Sequence, residues 1–264
     1  MIKLVATDID GTLLDDKKQL PDDFDEVINL LHERGITFAI SSGRSYTALS
    51  VQFEKYLDKI SFICDNGAYI VHNGEIISIS IIEKKTVDEI VKYCNELGLD
   101  VLLCGKNGTY HSIKKKTLND EVNRYYINQV YLDNIYECRD DIFKIAVFEE
   151  GGIEHHGNPL LKERFGKNIN VALSGVYWTD LMNQNISKGM AIKVLQKRIG
   201  AGFNESAAFG DYLNDIEMLQ SVYYSYAMSN AHQLCKDTAR FVIGSNNEQS
   251  VTKQIKKLIL QDIY

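Results

Sequence analysis

Short, nearly unbroken apolar runs alternate with amphipathic stretches over the first eighty residues. Residues 2–7 read as a strand, and "DDFDEVINLLHERG" reads as a helix. In it Val27, Leu30 and Leu31 form one apolar face, acids crowd the first turn and Gly35 ends the pattern. "ITFAIS" predicts a second strand, residues 45–56 a second helix and "KISFIC" a third strand. Apolar strands separated by amphipathic helices predict a parallel sheet covered on both faces. "AYIVHNGEIISIS" differs: two β-rich runs flank Asn73-Gly74, the strongest short hairpin signal.

From about residue 82 the rhythm changes. A helix (85–97) and short strands (99–104, 142–148, 169–173, 176–181) mix with glycine-rich turns such as "EEGGIEHHGNP". The α/β pattern then resumes, with a helix at 187–199, a strand at 206–209, a helix at 212–220, a strand at 222–227 and a final helix from about 247. The expected fold class is α/β: a Rossmann-like parallel-sheet core, residues 1–81 and 183–264, interrupted by an inserted α+β domain at 82–182. Clefts where domains meet are where small ligands usually sit. No internal repeat is evident.

Composition narrows the setting. The chain has 264 residues, 45% hydrophobic and 25% charged, which suits a globular protein with ample core. No apolar run approaches the roughly 18 residues of a membrane span, and a strand begins almost at once where a signal peptide would lie. A cytoplasmic location and no membrane partner are therefore expected. Five scattered cysteines without a CxxC suit reduced thiols rather than a disulfide framework or zinc site. A net charge of −7 argues against a nucleic-acid partner. The one basic cluster, Lys114-Lys115-Lys116, reads as a solvated loop. A small anionic substrate stays possible, because a site needs only local positive charge.

The candidate chemistry lies just beyond the carboxyl ends of strands, where open α/β sheets bind ligands. "LVATDIDGTLL" ends a strand in Asp8 and Asp10, whose side chains share one side of an extended backbone. Alone it could be a strand ending in an Asp-Gly turn. Ser41-Ser42-Gly43-Arg44 follows "ITFAI", Ser187-Lys188-Gly189 opens a helix, and "GDYLND" with Asp211, Asn214 and Asp215 follows "SAAF". Singly, each also reads as a turn, a helix cap or a surface lysine. Together they assemble clustered carboxylates, which need a cation or proton between them. Oxygen ligands with open positions suit Mg²⁺. A calcium loop starting at Asp8 fails, since its sixth position is Leu13 and its twelfth Gln19. Ser42, the bare backbone at Gly43 and Lys188 at a helix start would complement a phosphoryl group. No GxxxxGK[ST] run is present, which argues against a P-loop nucleotide fold.

These four stretches resemble the motifs of the haloacid dehalogenase-like (HAD) hydrolase superfamily, and the insertion is similar to the cap of its Cof-type phosphatases (subclass IIB). "NGAYI", "AMSNA" and "SNNEQSV" add to the resemblance. Ser229 stands where the family usually has Gly, and Gln249-Ser250 precede Val251 where it usually has Asp-Gly. These departures bear on substrate fit more than on chemistry.

The resemblance implies an Mg²⁺-dependent phosphatase acting on small phosphomonoesters, sugar phosphates by default, through an aspartyl-phosphate. Asp8 would be the nucleophile and Asp10 the acid/base. Ser42 (or Ser41), Gly43, Lys188 and Asn214 would bind phosphate. Asp8, Asp10 through its carbonyl, and Asp211 would hold metal, with Thr12, Asp215 and Arg44 in support. The cap would select the substrate. The alternatives are a phosphomutase, which shares this core, and a phosphate-binding regulatory protein. A signalling receiver would need its parts within about 120 continuous residues by resemblance to that family. A monomer or weak homo-oligomer is expected.

Overall fold

The computed structural model describes residues 1–113, 126 and 128–261; the lysine cluster at 114–116 lies outside the described residues. The chain forms two units, one from Met1–Ser78 and Ser187–Tyr264, the other from Ile79–Ile186. They are described separately.

The first unit is built on β1 (Leu4–Thr7), β2 (Thr37–Ser41), β3 (Ile60–Cys64), β4 (Tyr69–His72) and β5 (Glu75–Ile79), with helices α1 (Phe24–Glu33) and α2 (Tyr46–Gln52) between the first three strands. The second unit then intervenes with α3 (Lys84–Glu96), β6 (Asp100–Gly105), β7 (Thr109–His111), β8 (Gln129–Tyr131), β9 (Ile142–Phe148), α4 (Gly157–Phe165), β10 (Ile169–Leu173) and β11 (Trp178–Asn183). The chain returns to the first unit as α5 (Lys188–Ile199), β12 (Ser206–Gly210), α6 (Ile216–Gln220), β13 (Tyr224–Met228), α7 (Gln233–Thr238), β14 (Phe241–Ile243) and α8 (Ser250–Gln261).

The eight strands of the first unit run in the order β14-β13-β12-β1-β2-β3-β4-β5. Pairings from β14 through β3 are parallel, and β3–β4 is antiparallel. Leu4, Val5 and Ala6 are fully buried, as are Ala207, Ala208 and Phe209 beside them. A parallel strand covered on both faces has no polar side to alternate with, which is why these segments read as continuous apolar runs. At the Asn73-Gly74 turn both residues have positive φ, 51° and 74°, as a tight hairpin between β4 and β5 requires.

The second unit carries a six-stranded sheet, β10-β11-β9-β6-β7-β8. Its pairings are antiparallel except β7–β8. One face packs Val101, Leu103, Ile145, Val147 and Leu181 on Val87, Ile90 and Val91 of α3 and Leu161 of α4. The mixed α/β architecture with its parallel sheet is the expected class. The glycine-rich reading of "GNP" is corrected: Gly157-Asn158-Pro159 begins α4. Proline is tolerated in a helix's first turn because no intrahelical N–H bond is lost there. All five cysteines are buried free thiols. Among the described residues no helix is long and apolar enough to cross a membrane.

Candidate active site

Sheet order explains how residues two hundred positions apart converge. β12, β1 and β2 are neighbours, so the residues following each strand emerge side by side at one sheet edge. The Asp8 N–H continues the ladder by donating to the Phe209 carbonyl at 3.0 Å, placing Asp8 against the end of β12. Lys188, first residue of α5, reaches across from a helix capped by Ser187, whose Oγ accepts the Met190 N–H at 3.2 Å.

Lys188 has no solvent exposure. Its Nζ donates to Asp8 Oδ1 and to Asp215 Oδ1, each at 2.6 Å. Asp215, also fully buried, accepts the Asp211 and Tyr212 N–H groups on Oδ2 at 2.9 and 3.1 Å. Both its oxygens are therefore engaged by donors. Asp211 accepts the Thr12 hydroxyl at 2.8 Å on Oδ1. Gly11, at φ +82°, is required here: a Cβ would stand 2.4 Å from Asp211 Oδ2.

Asp8, Asp211 and Asp215 can bring one carboxylate oxygen each within 4.8 Å of the others. Burial pushes Asp8 up to about 7, against the pull of Lys188 and helped by the charge on Asp215. Burial likewise lifts Asp211 to about 6, with the Thr12 hydrogen bond opposing and Asp215 adding. Burial alone would discharge Lys188, but Asp8 and Asp215 outweigh it and raise its pKa above the usual lysine range. Three carboxylates around one ammonium leave a deficit of positive charge. An oxygen-only cluster in that condition fits a divalent cation.

Asp10 lies just outside this cluster and is half-exposed. Arg44 grips it twice, Nε to Oδ2 at 3.0 Å and Nη2 to Oδ1 at 2.7 Å, and Lys18 Nζ adds a contact to Oδ1 at 2.7 Å. Partial burial opposes ionisation of Asp10, but Lys18 and Arg44 prevail and hold its carboxyl below the ordinary aspartate value. Gln52 on α2 accepts from Arg44 Nη1 at 2.8 Å, fixing the guanidinium.

The two serines differ. Ser41 is fully buried at the end of β2, its hydroxyl without a hydrogen-bond partner among the described residues. Ser42 lies beyond the strand, nearly buried, with its Oγ accepting the Arg44 N–H at 3.2 Å. Next to it, Asn66 Nδ2 stands 3.3 Å from where a Gly43 Cβ would be, and Asn66 Oδ1 accepts Asn214 Nδ2 at 3.0 Å. Asn214 is thus joined to the Gly43 turn through Asn66, while Asp8, Thr12, Lys188, Asp211 and Asp215 share one network and Asp10 with Arg44 another. Sequence reasoning left out Asn66, Lys18 and Gln52 as site residues. "NGAYI" was the signal for Asn66: Gly67, at φ +105°, leaves 2.4 Å between a would-be Cβ and the Ser187 carbonyl, so this turn abuts the start of α5.

The model of the haloacid dehalogenase-like hydrolases matches residues 5–255, and the chain belongs to that family. It is an enzyme of the phosphoric monoester hydrolase type. Among its relatives is Escherichia coli YbjI, a 5-amino-6-(5-phospho-D-ribitylamino)uracil phosphatase, 29% identical over 98% of this chain and 96% of that one. Bacillus subtilis YcsE, named for the same activity, is 25% identical with the same two coverages. A solved haloacid dehalogenase-like hydrolase from B. subtilis superposes with a TM-score of 0.82 at 25% identity, covering 97% of this chain and all of that one.

Proposed function

We propose that the chain hydrolyses small phosphomonoesters, with a divalent cation, Mg²⁺ by ligand chemistry, through a phosphoryl group carried on Asp8. The observation that carries this reading is the buried Lys188 bridging Asp8 and Asp215 beside Asp211. Asp8 Oδ forms a bond to phosphorus as the ester P–O bond breaks, and the leaving oxygen takes a proton from Asp10. Water then attacks phosphorus, the acyl-phosphate P–O bond breaks, and Asp10 accepts the water's proton. Arg44 and Lys18 favour the carboxylate that this second step needs. A phosphoryl dianion arriving nearby favours the protonated form for the first, because like charges disfavour ionisation.

Lys188, the Ser42 hydroxyl and the backbone at Gly43 would hold the phosphoryl oxygens, with Asn214 supporting through Asn66. Asp8, Asp211 and the Asp10 carbonyl would hold the metal, whose charge relieves repulsion between the nucleophile and the phosphoryl oxygens. Asp215 would position Lys188, since its own oxygens are engaged. Leaving-group selection is assigned to the inserted unit. The substrate class is a primary phosphate on a polyhydroxylated chain. Sugar phosphates belong to it, and so does the ribityl phosphate that names YbjI and YcsE.

The test is inorganic phosphate release from sugar phosphates, the ribitylaminouracil phosphate, flavin mononucleotide and an aryl phosphate, with Mg²⁺ or with chelator. Release by the wild type with Mg²⁺, and none from Asp8→Asn, is the expected result. Turnover by a clean Asp8→Asn preparation would sink the mechanism. Interconversion of sugar phosphate isomers without free phosphate would favour the mutase.

A further inference from the structure

Two stretches of the sequence, "AMSNA" and "SNNEQSV", carry no group used in the mechanism above. In the structure both close on the loop that bears Asp10. Asn230 Nδ2 donates to the Gly11 carbonyl at 2.8 Å, one residue from Asp10. Asn230 Oδ1 accepts the Asn246 N–H at 3.2 Å, tying the two stretches together. Asn246 is 4% exposed, and its Nδ2 donates to the Leu14 carbonyl at 3.0 Å and to Asp16 Oδ1 at 3.1 Å. Asn247 holds Asp16 again, donating from Nδ2 to Oδ2 at 3.0 Å and accepting the Asp16 N–H on Oδ1 at 3.1 Å.

The loop so gripped turns back on Asp10 itself. The Lys18 N–H donates to the Asp15 carbonyl at 2.9 Å, closing a turn in which Lys18 has φ +62°. That turn delivers the Lys18 ammonium to Asp10. The Asp10 backbone bridges to Leu14, whose carbonyl is the one Asn246 holds. Asp10 is therefore bracketed: Asn230 fixes the backbone after it, and Asn246 with Asn247 fixes the turn that brings Lys18 to it. Side-chain amides suit this task because one amide can donate and accept at once without adding charge beside the carboxylate cluster.

We infer that Asn230 and Asn246 are positioning residues for Asp10, setting where its carboxyl meets the leaving group. The inference rests on the proposed acid/base role of Asp10. It makes a prediction that a merely structural role does not. A poor leaving group, an alkoxide, needs the proton from Asp10, whereas 4-nitrophenolate departs without one. The value of kcat/KM reports only steps up to departure of the leaving group, so the later role of Asp10 toward water does not enter it.

The experiment measures kcat/KM of wild type, Asn230→Ala, Asn246→Ala and Asp10→Asn on 4-nitrophenyl phosphate and on the alkyl phosphate the enzyme hydrolyses fastest. Thermal melting of each variant is recorded alongside. General acid catalysis contributes about 10²–10⁴-fold, so partial misplacement should cost the asparagine variants roughly tenfold or more on the alkyl ester and under about threefold on the aryl ester. Equal losses on both esters, or no loss on the alkyl ester, would overturn the inference while Asp10→Asn still shows the split. If Asp10→Asn itself shows no split, the acid role fails and the inference goes with it. Should Asn246→Ala fail to fold, Asn230→Ala, whose side chain is exposed, decides the question.

Discussion

A lysine without solvent keeps its charge only through its neighbours, and here Asp8 and Asp215 raise the Lys188 pKa against the pull of burial. The sign of the pH dependence follows. Asp8 at about 7 and Asp211 at about 6 lie above their ordinary 3.8, so the native state holds protons that the unfolded chain has released between those limits. Stability of the metal-free protein must then fall as pH rises through that window. Asp10 runs the other way: its ion pairs overcome burial and lower its pKa, so its contribution is lost as pH falls below 3.8. A divalent cation held as proposed would compete with the protons on Asp8 and Asp211. Mg²⁺ should therefore raise the melting temperature more at about pH 8 than at about pH 5, where protons already neutralise the cluster. Equal Mg²⁺ shifts at both pH values would contradict this account of the carboxylates.

At the scale of elements, the site depends on how closely α5 can approach α6. A Cβ on Gly189 would stand 2.5 Å from the Glu217 carbonyl oxygen, a backbone atom that cannot swing aside. Gly189→Ala should destabilise the protein by about 1–3 kcal/mol through overpacking. It should also lower kcat, because the displaced helix carries Lys188. Denaturant unfolding with parallel kinetics checks both, and an unchanged variant would show that the helix contact is looser than drawn. Elements with strong local signals were legible. The strand expected at 206–209 is Ser206–Gly210, and the helix expected at 187–199 is Lys188–Ile199. The helix expected at 212–220 is a 3₁₀ turn, Leu213–Asp215, followed by the five residues of α6. The backbone there bends so that Asp215 can receive the N–H groups of Asp211 and Tyr212. The short pieces α7, β7, β8 and β14 carry no expected element, and the start of α4 reads in the sequence as a turn. Three to nine residues of mixed polarity carry too little periodicity to separate a packed element from a loop.

For the whole molecule, each unit has its own core, and the apolar cluster of the second lies wholly within residues 82–181. Two cores predict that equilibrium unfolding need not be a single transition. Leu181, fully buried in the second cluster, gives a selective probe. Leu181→Ala should lower one transition by about 2–5 kcal/mol, whereas Mg²⁺ should raise only the other, since every carboxylate of the cluster lies in the first unit. A single transition moved by both would mean the units unfold together.

The class of fold is legible in the amino-acid pattern, because buried parallel strands must be continuously apolar and their covering helices amphipathic. The sequence by itself also singled out Asp8, Asp10, Ser42, Lys188, Asp211 and Asp215, since acids, a hydroxyl and a lysine at strand ends and helix starts are chemically conspicuous. Tertiary structure alone decided the partnerships. That Lys188 bridges Asp8 and Asp215, that Ser41 is buried in its strand while Ser42 lies beyond it, and that Asn230 and Asn246 grip the Asp10 loop depend on sheet order and helix approach. The roles of Asn230 and Asn246 are not legible in the sequence for a physical reason. Their work is hydrogen bonding to backbone groups more than two hundred residues away, and nothing in local composition marks which carbonyl an amide will meet.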